Sequence, residues 1–211
     1  MKFTERQLNA GDIVGGHVVL NFVNTVTAWD GVPRDYLQGF EDACDWAILA
    51  GLGSGKSVSQ VRRISRAAPR KGIEELARLR EFRGAVHETL LALARKSPIP
   101  RRDLQTLEAH WKGAVASSLL HGADHAVPVW TAHTSGVALL RHSLAWQTVS
   151  LLDSLSALRL KVCAAPDCGW MFLDTSKSGR RRWCDMGTCG NKAKATRFQL
   201  RSRSRKELAR G

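Results

Sequence analysis

The sequence contains no apolar run that approaches the roughly 20 residues a membrane-spanning helix needs. Its opening, residues 1–5, has none of the features of a secretory signal peptide. We therefore expect a protein that does not span a membrane. We also expect it to reside in the reducing cytoplasm, where cysteines stay available for metal binding.

The sequence also lacks the patterns that identify common enzymes. We find no nucleophile paired with a base and no pair of carboxylates at a useful spacing. The stretch 53–57 resembles a phosphate-binding loop, but Ala50 stands where that motif requires its first glycine, and a predicted helix precedes it. We interpret residues 53–57 as a loop between helices, and we do not expect enzymatic activity.

Acidic residues are scarce and unevenly placed. The chain has 32 Lys and Arg against 19 Asp and Glu, a net charge of +13. Residues 159–211 hold 14 basic and 4 acidic residues, whereas residues 1–158 hold 18 and 15. A concentrated basic segment is typical of a protein that binds a polyanion, because neutralised phosphates release counterions. The alternative is a basic tail that only keeps the chain in solution.

The first part of the chain has the periodicity of a helical domain. Its hydrophobic content of 44% is sufficient for a core. The longest apolar stripe predicts a scaffold helix, and it recurs at positions 73, 76, 79, 82, 86, 90 and 93. Helices are also predicted over 18–26, 40–50, 104–111 and 135–160, with a loop over 27–38 and a short strand at 127–130. The fold class is therefore mainly α, with a helical domain over residues 1–158.

Four cysteines near the C-terminus suggest a metal site. They form two Cys-x4-Cys pairs, Cys163 with Cys168 and Cys184 with Cys189. Such pairs let two tight turns supply four thiolates to one structural zinc ion. Two disulfides are disfavoured in a chain without an export signal, while the spacing alone does not exclude an iron–sulfur cluster. We predict that Zn2+ is the cofactor and that residues 159–211 form a small zinc finger.

A basic helix is predicted to start at the second cysteine pair, in an arrangement similar to a treble clef. Four cations along this helix follow spacings of three, four and four, so they share one face. An α-helix fits the major groove of DNA, and the preceding arginines could clamp the phosphate backbone from another arm. The predicted nucleic-acid contacts are Arg180, Arg181, Arg182, Lys192, Lys194, Arg197, Arg201 and Arg205.

The finger closely resembles the bacterial CGNR zinc-finger family. The resemblance rests on the Cys-Gly-x-x-Phe-x-Asp run at 168–174, on Arg-Arg-Trp-Cys at 181–184 and on Cys-Gly-Asn at 189–191. Lys192 replaces the arginine of the family signature, which keeps the charge but loses the bidentate fork. At the other end, residues 16–25 resemble the start of the ABATE domain, which usually precedes such a finger.

The resemblance implies a bacterial transcription regulator that binds double-stranded DNA through its finger. The helical domain would then serve as a sensor or a scaffold, and the chain could act as a homodimer. The alternative that charge and aromatic content suggest is an RNA-binding or ribosome-associated protein.

His17 and Asn24 form a candidate ligand pocket beside a glycine turn, although a structural role is the commoner one for such residues. A helix reaching almost to Cys163 would couple the two domains through a short, stiff junction.

Overall fold

The structure is a computed structural model that describes residues 8–28, 32–122, 126–155 and 159–208. Side chains of residues 200, 201 and 203–208 lie outside this description. The predicted domain boundary at residue 158 also lies outside it, because residues 156–158 are not described.

The described chain is mainly helical, which confirms the predicted fold class. The helices are α1 Val18–Val23, α2 Phe40–Leu49, α3 Gly55–Ala67, α4 Pro69–Ala94, α5 Arg101–Ala116, α6 Ala132–Ser135, α7 Leu139–Ser154 and α8 Asn191–Leu208. Three antiparallel pairs join β1 Val26–Thr27 to β2 Arg34–Asp35, β3 Leu119–His121 to β4 Val127–Val129, and β5 Leu160–Val162 to β6 Met171–Leu173. None of the described helices is both long and apolar enough to cross a bilayer.

The core surrounds α4, as the long apolar stripe predicts. Its central positions 76, 79, 82, 86 and 90 are buried, whereas Ile73 near the start of the helix is exposed. Phe22 of α1 packs against Trp46 and Phe82, with ring centroids 5.4 and 6.2 Å away. Met171 and Leu173 of β6 belong to the same core. The hairpin of the finger is therefore packed into the helical domain.

Helix α3 occupies part of the stretch predicted as a loop, so that prediction was wrong. The Ser54 hydroxyl accepts a hydrogen bond from the backbone N–H of Ser57 at 3.2 Å and caps the helix. Val58 and Val61 then point into the core. Two further predictions also differ: α5 begins at Arg101, before the predicted start at residue 104, and the predicted loop 27–38 contains β2.

The connection to the finger is a strand rather than a continuous helix. Helix α7 ends at Ser154, and β5 precedes Cys163. Leu160 and Val162 pack on the core, while Lys161 between them forms an ion pair with Asp174 at 2.7 Å. This alternation fits a strand with one buried face. No continuous helix therefore connects the helical domain to the first cysteine pair, and other contacts must couple the domain to the finger.

Candidate functional site

The four predicted cysteines converge at one point. Cys163 and Cys168 lie in the turn between β5 and β6, and Cys189 lies in a π-helical turn, Met186–Gly190, that leads into α8. The four sulfur atoms all lie within 4.8 Å of one another. Cys163, Cys168 and Cys184 are buried, and Cys189 is partly exposed. The four side chains therefore form a potential metal site.

The sulfur spacing fits a tetrahedral metal. The Sγ of Cys184 lies 3.6 Å from those of Cys168 and Cys189. Zinc–sulfur bonds of about 2.3 Å place tetrahedral sulfurs about 3.8 Å apart, whereas a disulfide requires about 2.05 Å. All four cysteines are free thiols. The disulfide alternative is thus contradicted by the geometry, and the donor set suits zinc.

Hydrogen bonds between the thiols already favour one thiolate. Hydrogen bonding from the Cys168 and Cys184 side chains lowers the pKa of Cys163. The backbone N–H of Cys184 also donates to the Cys163 sulfur, at 3.3 Å. The pKa of Cys184 is raised, first by its bond to Cys163 and then by its bond to Cys168. A divalent cation would stabilise the deprotonated form of all four thiols and release their remaining protons.

Polar contacts tie the start of α8 to both cysteine turns. The Asp185 carboxylate accepts a hydrogen bond from the Thr188 N–H at 2.7 Å and caps the π-helical turn. Lys192, at the position of the signature arginine, forms an ion pair with Asp167 in the first cysteine turn. A metal ion bound here would therefore fix the direction in which α8 leaves the finger.

Asn24 joins the helical domain to the finger. Its side-chain Nδ2 donates to the Met171 carbonyl at 2.9 Å, and its Oδ1 accepts from the Met171 N–H at 2.8 Å. The indole N–H of Trp170 donates to the Val26 carbonyl at 3.0 Å. Asn24 and Met171 are almost completely buried. The amide of Asn24 thus supplies β6 with the hydrogen bonds that a neighbouring strand would make.

Two backbone hydrogen bonds extend this connection to both ends of the hairpin. The N–H of Ala28 donates to the Cys168 carbonyl at 2.9 Å, and the N–H of Leu173 donates to the Gly15 carbonyl at 2.9 Å. These bonds couple the domains directly, without relying on a stiff helical junction.

The structure gives His17 a structural position as well. Its Nδ1 accepts a hydrogen bond from the Val19 N–H at 3.2 Å and caps α1. Burial lowers the pKa of His17 and so favours the neutral ring. His17 and Asn24 were the predicted pocket pair, and the structure engages each of them with backbone groups of the fold. Sequence periodicity placed Asn24 on the predicted helix 18–26, and it directly follows α1 in the structure, but the periodicity carried no signal for its partner far along the chain.

Asp174, part of the motif that resembles the CGNR family, organises the segment 175–182. Its carboxylate accepts hydrogen bonds from the backbone N–H groups of Ser176 and Arg181 at 3.0 and 3.1 Å. The neighbouring Lys161 ammonium is the main cause of the lowered pKa of Asp174. Lys161 also donates to the Gly179 carbonyl at 2.6 Å. The segment that carries the predicted arginine clamp is therefore held by a buried carboxylate.

The predicted arginine clamp divides into inward and outward residues. Arg181 lies over the Phe172 ring, 4.3 Å from its centroid, and donates to the carbonyls of Trp183 and Cys184. This half-buried residue stabilises the finger from within. Arg180 and Arg182 are exposed.

The finger aromatics Trp170 and Phe172 are buried, as expected for core packing.

Helix α8 presents cations on an exposed surface. Lys194 and Arg197 are exposed, and the neighbouring Phe198 is 73% exposed. Arg201 and Arg205 also lie on α8, but their side chains are outside the described residues. The main contacts of α8 are with the π-helical turn that precedes it. Residues 194–199 of α8, whose side chains are all exposed, are therefore available to a partner.

Comparison with known families confirms the predicted architecture. Residues 16–154, about two thirds of the chain, match the ABATE family, described as "Putative stress-induced transcription regulator". Residues 159–202 match the CGNR zinc finger. No curated protein matches the sequence. Both families are of regulator or zinc-finger type rather than enzymes.

Proposed function

Because the chain belongs to the ABATE family and carries a CGNR zinc finger, we propose that it is a zinc-dependent transcription regulator that binds double-stranded DNA. We assign the helical domain to residues 1–158 and the finger to residues 159–211. In this proposal Cys163, Cys168, Cys184 and Cys189 hold one Zn2+. The helical domain is the rigid base on which the finger is mounted.

One observation carries the proposal: the four thiols converge at the base of a helix rich in exposed cations. Zinc at this point supplies folding free energy, because four deprotonated thiols crowded together need a cation. The cysteine turns would then fix the start of α8, helped by the ion pair between Lys192 and Asp167. Zinc therefore acts on DNA binding indirectly, through the position of the helix.

The dimensions and charge of α8 suit the major groove. A helix of 18 residues is about 27 Å long, and the major groove admits an α-helix. Lys194 and Arg197 provide exposed charge near its start, and Arg180 and Arg182 provide more on the segment organised by Asp174. We assign phosphate contacts to these four residues, and to Arg201 and Arg205 through their helix positions. Arg181 acts instead within the finger.

Burial of Trp170 and Phe172 removes two aromatic rings of the finger as stacking surfaces for single-stranded RNA. RNA-binding proteins commonly stack unpaired bases on exposed aromatic rings. Trp170 and Phe172 cannot serve in this way without opening the finger, whereas Phe198 on α8 is an exposed ring. Phosphate contact by a basic helix needs no such platform. A structured RNA remains the competitor against which the proposal is tested.

The first experiment combines metal analysis with DNA binding across a salt series. We expect one zinc per chain, and an affinity for duplex DNA that falls steeply with salt and is lost on chelation. The double variant Lys194→Glu with Arg197→Glu should keep its zinc but bind DNA weakly. Its salt slope should be smaller by about 2, because two phosphate contacts are lost.

A matched control separates specific contacts from a change in net charge. Arg63 and Lys71 are exposed on the helical domain and form no ion pair among the described residues. Reversal of both to glutamate changes the net charge equally and should leave DNA affinity within about twofold. Zinc-loaded protein without duplex affinity, or one that prefers structured RNA to duplex DNA, would contradict the proposed function.

A further inference from the structure

A cleft on the helical domain is lined by residues of that domain and by none of the finger. It is formed between α4 and α5, with α7 at its floor, and has a volume of about 490 Å3. Small-molecule sites commonly fall between about 300 and 1,000 Å3. Its polar lining is mostly basic or neutral, and includes Arg78, Arg102, Gln105, His110 and Arg141.

The floor of the cleft is a buried ion pair with a fixed geometry. The Arg141 guanidinium donates from Nε to Glu75 Oε1 at 2.6 Å and from Nη2 to Glu75 Oε2 at 3.0 Å. Both side chains are less than a tenth exposed. A bidentate pair of this kind holds the guanidinium plane in one orientation. Arg141 thus has little freedom to adjust to other partners.

Arg141 retains hydrogen-bonding capacity at this position. A guanidinium has five N–H donors, and among the described residues those of Arg141 bond to the two Glu75 oxygens and to the Nδ1 of His110, the last at 3.0 Å. The guanidinium cannot lose a proton, so Nδ1 of His110 must be the acceptor. The ring proton of neutral His110 is therefore on Nε2, which is a second donor. Burial and the charge of Arg141 lower the pKa of His110 to about 4, so the ring stays neutral with its proton on Nε2.

The rim of the cleft adds charge that is not compensated locally. Arg78 and Arg102 are exposed and form no ion pair among the described residues. Arg102 and Gln105 are three positions apart on α5 and therefore share its surface. Glu75 neutralises Arg141, so Glu81 is the one described carboxylate in the lining that opposes the two rim arginines. The cleft carries a net positive charge.

We propose that this cleft binds a small molecule with a carboxylate or phosphate group. The anionic group would accept from the donors of Arg141 and His110 at the floor, and Arg78 and Arg102 would close over it from the rim. The buried position of Glu75 then has a reason, because it pre-orients the guanidinium before the ligand arrives. This site is independent of the zinc centre and of the proposed DNA surface.

The test is calorimetric titration of the zinc-loaded full-length protein with inorganic phosphate and with succinate, at an ionic strength held constant with sodium chloride. We expect saturable binding of at least one probe, with one site per chain. Arg78→Gln and Arg102→Gln should each weaken it by about tenfold, since each removes a charged hydrogen bond. Arg63→Gln removes an exposed arginine elsewhere and should change the affinity less than twofold.

The rim variants change exposed residues, so circular dichroism should show an unchanged thermal transition and separate binding from folding. A preference for phosphate or for succinate identifies the group that the cleft recognises. The inference is overturned if neither probe binds saturably, or if all three variants weaken binding equally, because equal losses indicate general screening. Either result leaves the proposal for the finger intact, since that proposal depends on zinc and DNA.

Discussion

Replacement of Asn24 by alanine should destabilise both halves of the protein at once. The Asn24 amide makes two hydrogen bonds to the backbone of Met171, and Met171 lies in the core shared by β6 and the long helices. Alanine has neither the side-chain N–H donor nor the oxygen acceptor that Asn24 offers to Met171. The N–H and the carbonyl of Met171 would then be left without hydrogen bonds, because Met171 is completely buried.

The expected loss is large relative to total stability. A buried polar group left unsatisfied costs about 1–3 kcal/mol, so two such groups cost roughly 4 kcal/mol. Domains of this kind are stable by only about 5–15 kcal/mol. For a chain of this size, each kcal/mol lowers the midpoint of thermal unfolding by about 2–4 °C. We therefore expect Asn24→Ala to melt roughly 10 °C lower than the parent.

The assay follows urea unfolding of zinc-loaded protein with two signals. Far-ultraviolet circular dichroism reports the helices, and reaction of released zinc with a chromogenic chelator reports the finger. Both transitions should move to lower urea by the same amount. Asn9→Ala is the control, because Asn9 is exposed and only caps a short turn, so its loss should cost about 1 kcal/mol or less.

Two results would refute this reasoning. A loss below about 1 kcal/mol would mean that Met171 finds other partners, and that Asn24 is not the connection between the domains. Release of zinc at lower urea with an unchanged helical transition would mean that the finger unfolds on its own. The second result would restore the view of two independent domains.

Two further predictions concern the metal and the buried histidines. Cys184→Ser should lower the zinc content measured by atomic absorption, because the Cys184 sulfur lies 3.6 Å from two of the other sulfurs. The control Cys44→Ala changes the cysteine outside the cluster and should keep its zinc. Burial lowers the pKa of His110 and of His142 to about 4, so the folded state binds fewer protons than the unfolded state between about pH 4 and 6.5. Stability should therefore fall as pH decreases through this window. In His110→Gln, the slope of the unfolding free energy against pH should decrease by an amount equal to at most one bound proton. An unchanged slope would contradict a neutral buried His110.

The elements that local pattern determines were predictable from the sequence. The stripe from 73 to 93 predicts α4 because one side of a long helix must be apolar to pack in a core. The cysteine spacing predicts a common site because each pair fits one tight turn. Helix α8 follows from its position after Cys189 and from the absence of helix breakers within it.

The features that were missed depend on distant partners. The partner of Asn24 is Met171, 147 positions away, and a single sequence shows only a polar residue on an apolar helix. Arg181 has the same chemistry as Arg180 and Arg182, so only the location of Phe172 and the carbonyls explains why it turns inward. Leu160 and Val162 would fit a helix as well as a strand until β6 pairs with them. In each case tertiary contacts decide between alternatives that local propensity leaves equal.

The backbone hydrogen bonds from Ala28 to Cys168 and from Leu173 to Gly15 have a consequence for how such genes recombine. A crossover near residue 158 would bring together a finger and an N-terminal segment that had not been selected as a pair. The chimera would keep every cysteine, yet the surfaces around Met171 and Trp170 would no longer match. We expect the segment 14–28 and the finger to be inherited together, so that a change in what the finger binds arises by substitutions on α8 and not by exchange of whole fingers.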